Sequence, residues 1–310
     1  MSSAAHGRNP SACDTGTSGR IERYLDPARR AGYVCHVLTC IGRLAISAAS
    51  LLAVVPVPRF ADRFVYFPTR AHDGGTPAAL GLPYEDVELI AADGVRLHAW
   101  WVPAAAAQRT VLLLHGNAGN VSHRLDKLAV LNELDANALL LDYRGYGRSE
   151  GTPDEAGTYR DAEAAYDWLR GRGVAPPAII AYGESLGGPI AVHLAAQRPL
   201  GGVVLESAPS SIAGVARHHY PWLPVQLLLS NRYDALAKIG QVRAPMLILH
   251  SPDDEIVPFA MAEALQGAAA APVRLVRLSG HHNDAFIAAA EVYRAALRDF
   301  FERARNPLPM

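Results

Sequence analysis

Cysteine is almost missing. The 310 residues contain three, Cys13, Cys35 and Cys40, all near the N-terminus, so the body of the chain has neither a disulfide framework nor a cysteine metal site. Neither sign of charge dominates: 29 Lys and Arg stand against 30 Asp and Glu, which removes the basic footprint of a nucleic-acid binder. No stretch repeats itself, which excludes solenoid and propeller architectures. Two phosphate-cradling fingerprints are absent, the P-loop ending in Lys-Ser/Thr and the Gly-x-Gly-x-x-Gly of dinucleotide folds. Long apolar runs are scarce as well. The densest, Leu44 to Val55, falls short of the ~20 residues that span a bilayer, and the wider stretch from Ala31 to Val57 carries Arg43 at its centre.

What is present is an apolar share of 50%, enough to bury the core of one large α/β domain. Residues 1–30, rich in Ser, Gly, Ala and Arg without periodicity, read as a disordered tail. Residues 31–58 read as an apolar, uncleaved N-terminal membrane anchor, with a helix packed on the body or a cleaved signal as alternatives. Residues 59–310 then form the domain. It opens with an irregular lead-in to Gly81, followed by a hairpin whose strands, Glu85 to Ile90 and Val95 to Val102, alternate across Asp93-Gly94.

From Thr110 the pattern changes to short buried strands separated by helical stretches. Strands are expected at Thr110–Leu114, Ala138–Asp142, Ala178–Tyr182, Gly202–Glu206, Met246–His250 and Val273–Leu278. Helices are expected at Val121–Leu134, Asp154–Arg170, after Gly187, at Phe259–Leu265 and at Asp284–Arg303. Repeated β-α-β with continuous apolar strands predicts a mostly parallel central sheet with helices on both faces and antiparallel strands at the leading edge. Residues 212–244 interrupt the alternation near a strand end and read as a small lid.

The chain is organised around Gly183-Glu-Ser-Leu-Gly187, set between a buried strand and a helix. Strand, sharp turn and helix with a serine at the apex make a nucleophile elbow, and the two glycines keep side chains away from the neighbouring elements. A serine hydroxyl needs a base within hydrogen-bond reach and a carboxylate to orient that base. Two later strand ends supply both: Ser251-Pro-Asp253-Asp254-Glu255 follows one, and Ser279-Gly-His281-His282-Asn283-Asp284 the other. The oxyanion needs two backbone donors. These are expected from the N–H of Leu186, directly after the serine, and the N–H of Asn117, with Ala118 as its alternative, in the loop His115-Gly-Asn-Ala-Gly-Asn120.

These segments, with Asp142-Tyr-Arg-Gly-Tyr-Gly-Arg-Ser-Glu-Gly-Thr-Pro153 and Asp254-Glu-Ile-Val-Pro258, stand in the order found in serine hydrolases of the α/β-hydrolase superfamily. From about Phe64 to Phe300 the chain resembles the small-lid branch of alpha/beta-hydrolase-domain proteins that carry an N-terminal membrane anchor. The resemblance implies the α/β-hydrolase fold, nucleophile Ser185, acid Asp254, base His282, and no cofactor or metal. Asp253 and His281 would then be neighbours outside the triad, and Asp142 would shape a loop. Ser251 departs from the branch, which usually has Gly there, and is expected to alter a turn rather than the chemistry. The expected activity is hydrolysis of carboxylic esters or thioesters, the substrate a small-molecule or lipid acyl ester, with no nucleic-acid partner. The alternatives are a peptidase or amidase with the same triad, and a non-catalytic membrane-associated binding protein.

Overall fold

The computed structural model describes residues 64–305. The expected tail and anchor, residues 1–30 and 31–58, lie outside the described residues. Among those described, no helix is long and apolar enough to cross a membrane.

Eight strands form one sheet: β1 (Glu85–Ile90), β2 (Arg96–Val102), β3 (Arg109–Leu114), β4 (Ala136–Leu141), β5 (Ile179–Glu184), β6 (Gly202–Glu206), β7 (Met246–His250) and β8 (Val273–Arg277). Their spatial order is β1-β2-β4-β3-β5-β6-β7-β8. β1 and β2 pair antiparallel, β2 lies antiparallel to β4, and every later pairing is parallel. The hairpin thus closes one edge of an otherwise parallel sheet, as the alternation across Asp93-Gly94 predicts.

Alternate residues of the central strands feed two cores. In β3, Leu112 and Leu114 face one side, while Val111 and Leu113 face the other. The first side is covered by α2 (Glu155–Gly171) and α3 (Gly187–Gln197), through Ala162, Ala165 and Leu169 and through Ile190 and Leu194. The second is covered by α1 (Leu125–Glu133) and by α9 (Ala290–Arg305), through Leu128 and Leu131 and through Tyr293, Leu297 and Phe300. Strands buried on both faces explain why the sequence shows continuous apolar runs there. β1 alternates, with Val87 and Leu89 buried and their neighbours exposed, because its outer face meets water.

The insertion divides. It contains α4 (Ile212–His219), α5 (Val225–Leu228) and α6 (Leu236–Ile239). Its second half is not a cover but part of the body: Tyr233, Ala235, Ile239 and Val242 are buried in the same core as α3. The first half stays at the surface, with Trp222 77% exposed. After it come α7 (Phe259–Ala268) and the short α8 (Ala285–Ala288) just before α9.

Candidate active site

Ser185 sits between β5 and α3 with φ +48°, a left-handed conformation that costs energy for any residue with a Cβ. The surroundings enforce it. The Ser185 N–H donates to the Glu206 carbonyl at 2.8 Å, and its own carbonyl accepts from the Gly188 N–H at 2.9 Å. A Cβ on Gly183 would stand 2.4 Å from the Gly187 carbonyl oxygen, and one on Gly187 only 1.9 Å from that of Leu114. The turn therefore wedges against the end of β3 as well as against its own helix. α3 starts immediately after the serine, so its N-terminal N–H groups and positive dipole end lie beside the hydroxyl.

The loop after β3 runs alongside. Gly116 passes so close that a Cβ there would be 3.5 Å from the Ser185 Cβ. His115 Nδ1 donates to the Gly116 carbonyl at 2.6 Å, which turns that peptide so that its N–H, belonging to Asn117, points the opposite way. Burial, with Arg124 nearby, lowers the pKa of His115 to about 4, so the ring stays neutral. The Asn117 carbonyl accepts from the Tyr146 hydroxyl at 2.8 Å and the Phe67 N–H at 2.9 Å, and the His115 carbonyl accepts from the Tyr143 hydroxyl at 3.1 Å. Among the described residues, neither the Asn117 nor the Leu186 N–H is drawn into a hydrogen bond.

The two later loops converge on the serine. His282 Nε2 lies 3.0 Å from Ser185 Oγ, and His282 Nδ1 lies 2.7 Å from Asp254 Oδ2. Nδ1–H donates to the carboxylate, which leaves Nε2 as an acceptor for the serine hydroxyl. Asp254 Oδ1 accepts the N–H groups of Ile256 at 2.9 Å and Val257 at 2.7 Å. Burial alone would raise the carboxyl's pKa; the His282 ring and these N–H bonds outweigh it and hold Asp254 below the usual carboxylate range. Asp253 and His281 are both exposed, and His281 Nδ1 is 3.4 Å from Glu255 Oε2. Asp284 does not cap α8. It turns back, and its Oδ1 accepts the His281 N–H at 2.6 Å. Ser251 joins the two loops: its hydroxyl donates to the Gly280 carbonyl and accepts from the Asp253 N–H at 3.1 Å.

Charged pairs lie beneath the elbow. Glu184 meets Arg124 at 2.8 Å, and Arg124 reaches on to the Ala118 carbonyl at 3.2 Å. Lys127 pairs with the buried Glu206, which also accepts from the hydroxyls of Tyr182 and Tyr293. Both pairs tie α1 and the residues just before it to the strands that carry the serine. The surface half of the insertion touches the acid loop, where His219 Nε2 donates to the Ile256 carbonyl at 2.8 Å.

Sequence reasoning singled out Ser185, Asp254, His282, Leu186 and Asn117, and the fold brings all five to one end of the parallel strands. It missed His115, Tyr143 and Tyr146 as supports of the loop. Their side chains look like ordinary core, and only the short polar motifs around them hint at more. Asp142, by contrast, was expected to shape a loop and does, accepting the Val121 N–H at 2.9 Å.

A sequence profile described as the alpha/beta hydrolase fold matches residues 109–234. An uncharacterized protein of Mycobacterium tuberculosis, Rv2307c, is 39% identical over 272 residues, covering 86% of this chain and 95% of its own. The alpha/beta hydrolase domain-containing protein WAV2 of Arabidopsis thaliana is 32% identical over 298 residues, covering 87% and 95%. A yeast relative, 31% identical over 266 residues and covering 82% and 93%, is named an uncharacterized membrane protein, YNL320W. Among solved structures, the Pyrococcus furiosus esterase Pf2001 superposes with a TM-score of 0.66 over 77% of this chain and 98% of its own. Its 21% identity makes that a likeness of fold. With its profile match, its full-length relatives and its sheet order, the chain belongs to the alpha/beta hydrolase family.

Proposed function

We propose that the protein is a serine hydrolase that cleaves carboxylic ester or thioester bonds through an acyl-enzyme. The observation that carries this is the unbroken hydrogen-bonded line Asp254–His282–Ser185, at 2.7 and 3.0 Å, ending on a serine held in a left-handed turn. Ser185 Oγ attacks the acyl carbonyl while His282 Nε2 takes its proton, and Asp254 keeps the ring in the tautomer that can do so. The N–H groups of Leu186 and Asn117 receive the oxyanion, each contribution being about 2.7–4 kcal/mol of barrier in comparable sites. His282 then returns the proton to the leaving alcohol or thiol. Water, deprotonated by the same ring, releases the acid and restores the serine.

The esterase activity of the Pf2001 neighbour agrees with this reading, as does a fold whose loops at the strand ends carry the chemistry. The test is labelling with a fluorophosphonate probe beside turnover of p-nitrophenyl esters from acetate to palmitate and a matching thioester series. Labelling of the wild type and none of Ser185→Ala is expected, with hydrolysis falling by about 10⁴-fold or more. A variant that keeps more than about a hundredth of wild-type turnover removes Ser185 from the role of nucleophile. Cleavage of amides and not of esters would move the protein to the amidases.

We also propose that residues 31–57 anchor the enzyme to a membrane, on the strength of their apolar run and the yeast relative's name. Deleting residues 1–58 should move the protein from the membrane fraction to the soluble one and keep probe labelling. Full-length protein that is soluble without detergent would overturn the anchor.

A further inference from the structure

Behind the oxyanion loop lies a second polar cluster that the reaction does not use. Asp142, at the end of β4, is completely buried. Its Oδ1 is occupied by the Val121 N–H, but its Oδ2 faces two imidazoles: His72 Nε2 at 3.2 Å and His98 Nδ1 at 3.1 Å. The other nitrogen of His98, Nε2, is 2.8 Å from Asp86 Oδ1. A neutral imidazole has a single N–H. If it serves Asp86, the Nδ1 lone pair of His98 points straight at a carboxylate oxygen, and only a positive charge between them makes the contact favourable. The third histidine adds to the surplus of lone pairs. His115 spends its N–H on the Gly116 carbonyl, so its buried Nε2, 3.9 Å from Asp142 Oδ1, has no hydrogen-bond partner.

We propose that His72, His98 and Asp142 bind a divalent transition-metal ion of the zinc class. One ligand atom from each lies within 4.8 Å of the others. Zinc with ligands at about 2.0–2.2 Å sets ligand–ligand edges of about 3.3–3.5 Å in a tetrahedron, and two of the edges here are 3.1 and 3.2 Å. Small ring movements open them to that spacing. Asp86 supplies the outer carboxylate that fixes the tautomer of a metal-binding histidine and leaves its inner nitrogen bare. Gly147, at φ +48°, packs its backbone against the ligand atoms, where no side chain fits: a Cβ there would stand 2.1 Å from Asp142 Oδ2 and 2.7 Å from His72 Nε2. The His72 side chain is 12% exposed, which gives the ion a route in and water a place in the fourth position. Two imidazoles and one carboxylate suit zinc or cobalt and not magnesium or calcium, which prefer oxygen. Sequence inspection could not find this set, because the ligands are 26 and 44 residues apart and belong to no spaced motif. Through Asp142 Oδ1 and Val121, the ion would brace the oxyanion loop from behind.

The test uses full-length protein stripped with a chelator and reloaded with zinc, its metal content measured after desalting, with cobalt loading in parallel. Wild type should retain one more equivalent of zinc per chain than His72→Phe, and zinc should raise its melting midpoint by several degrees but not that of the variant. Cobalt-loaded wild type should show the visible bands of a four- or five-coordinate nitrogen and oxygen site, absent in the variant. His72 lies in the lead-in outside the sheet and keeps 12% of its side chain exposed, so its replacement disturbs the fold less than that of the fully buried Asp142; the metal-free melting midpoints of wild type and variant check this. Equal zinc retention by wild type and variant places the metal elsewhere and overturns the proposal. No retention by either means that no ion sits between His98 and Asp142 and overturns it too. Displacement of zinc by a tenfold excess of magnesium or calcium overturns the assignment to a transition metal.

Discussion

The serine side and the acid–histidine side of the site are built by different means. The Ser185 turn itself is shaped by backbone: a left-handed φ, two main-chain hydrogen bonds, and glycines with no room for a methyl group. Asp254 and His282 stand on loops whose shape depends on side chains, namely the Ser251 hydroxyl on the Gly280 carbonyl, the Asp284 carboxylate on the His281 N–H, and Glu255 on the His282 N–H. Backbone constraint is nearly all-or-none, because an overlap with a carbonyl oxygen leaves no adjustable torsion. Side-chain constraint is graded, because each hydrogen bond adds about 0.5–1.5 kcal/mol and can be lost singly. Substitutions on the two sides should differ accordingly.

The largest contrast lies within the acid loop itself. Asp254→Asn should lower kcat by about 10⁴-fold, since it removes the partner that holds the His282 tautomer, whereas Asp253→Asn should cost less than tenfold. Steady-state ester hydrolysis measures both. A dead Asp253→Asn beside an active Asp254→Asn would reverse the acid assignment and leave the nucleophile in place.

Stability separates the two sides next. Gly187→Ala puts a methyl group 1.9 Å from the Leu114 carbonyl oxygen, so denaturant unfolding should show a loss of roughly 3 kcal/mol or more, or no folded protein at all. A variant as stable as wild type would mean that the elbow is not wedged against β3.

The pH dependence is set by buried histidines. Folded His115 takes its proton near 4, and the unfolded chain takes one near the ordinary histidine value of about 6.5. Between those values the unfolded state binds more protons, so stability falls as the pH drops, by roughly 3 kcal/mol at the limit for this one group. His250, whose pKa burial also lowers, adds in the same direction. Asp254 acts lower down: its depressed pKa gives stability that is present above about pH 4 and lost as the pH falls further. Melting midpoints from pH 7 to 4.5 should therefore decline, and less steeply in His115→Gln. An identical slope would show that His115 is not a buried neutral ring. The smallest effect belongs to Ser251→Ala, which breaks one link between the loops and should cost about 1 kcal/mol of stability. A tenfold or greater loss of kcat at unchanged stability would make Ser251 a positioning residue instead.

This contrast also explains what the sequence discloses. A backbone constraint leaves a mark in residue type, so Gly183, Gly187 and the apolar strands flanking them announce the elbow, and continuous hydrophobic runs announce the parallel sheet. Side-chain constraint leaves a weaker mark. Asp254 and Asp253 are both aspartates in one loop, and only order and spacing favour the one that reaches His282. The supports of the loop after β3 are less legible still: Tyr143 and Tyr146 act on carbonyls 28 and 29 residues away, and an aromatic residue beside a strand looks the same whether its hydroxyl is used or not. The split of the insertion was hidden for a related reason. Val242 and Ile239 are spaced like any apolar surface helix, and their burial depends on contacts with α3, which their own segment does not encode.

The distance between the two sides along the chain has a consequence in time. Ser185 precedes His282 by 97 residues. At a synthesis rate of about 5–20 residues per second, the elbow is synthesised roughly 5–20 s before the histidine exists. During that interval the nascent chain carries Ser185 without its hydrogen-bond partner His282, while β6 is already available to supply the Glu206 carbonyl that holds the turn. On the proposed reading, a chain made in this order stays inert toward the acyl groups around it until nearly the whole sheet has been assembled.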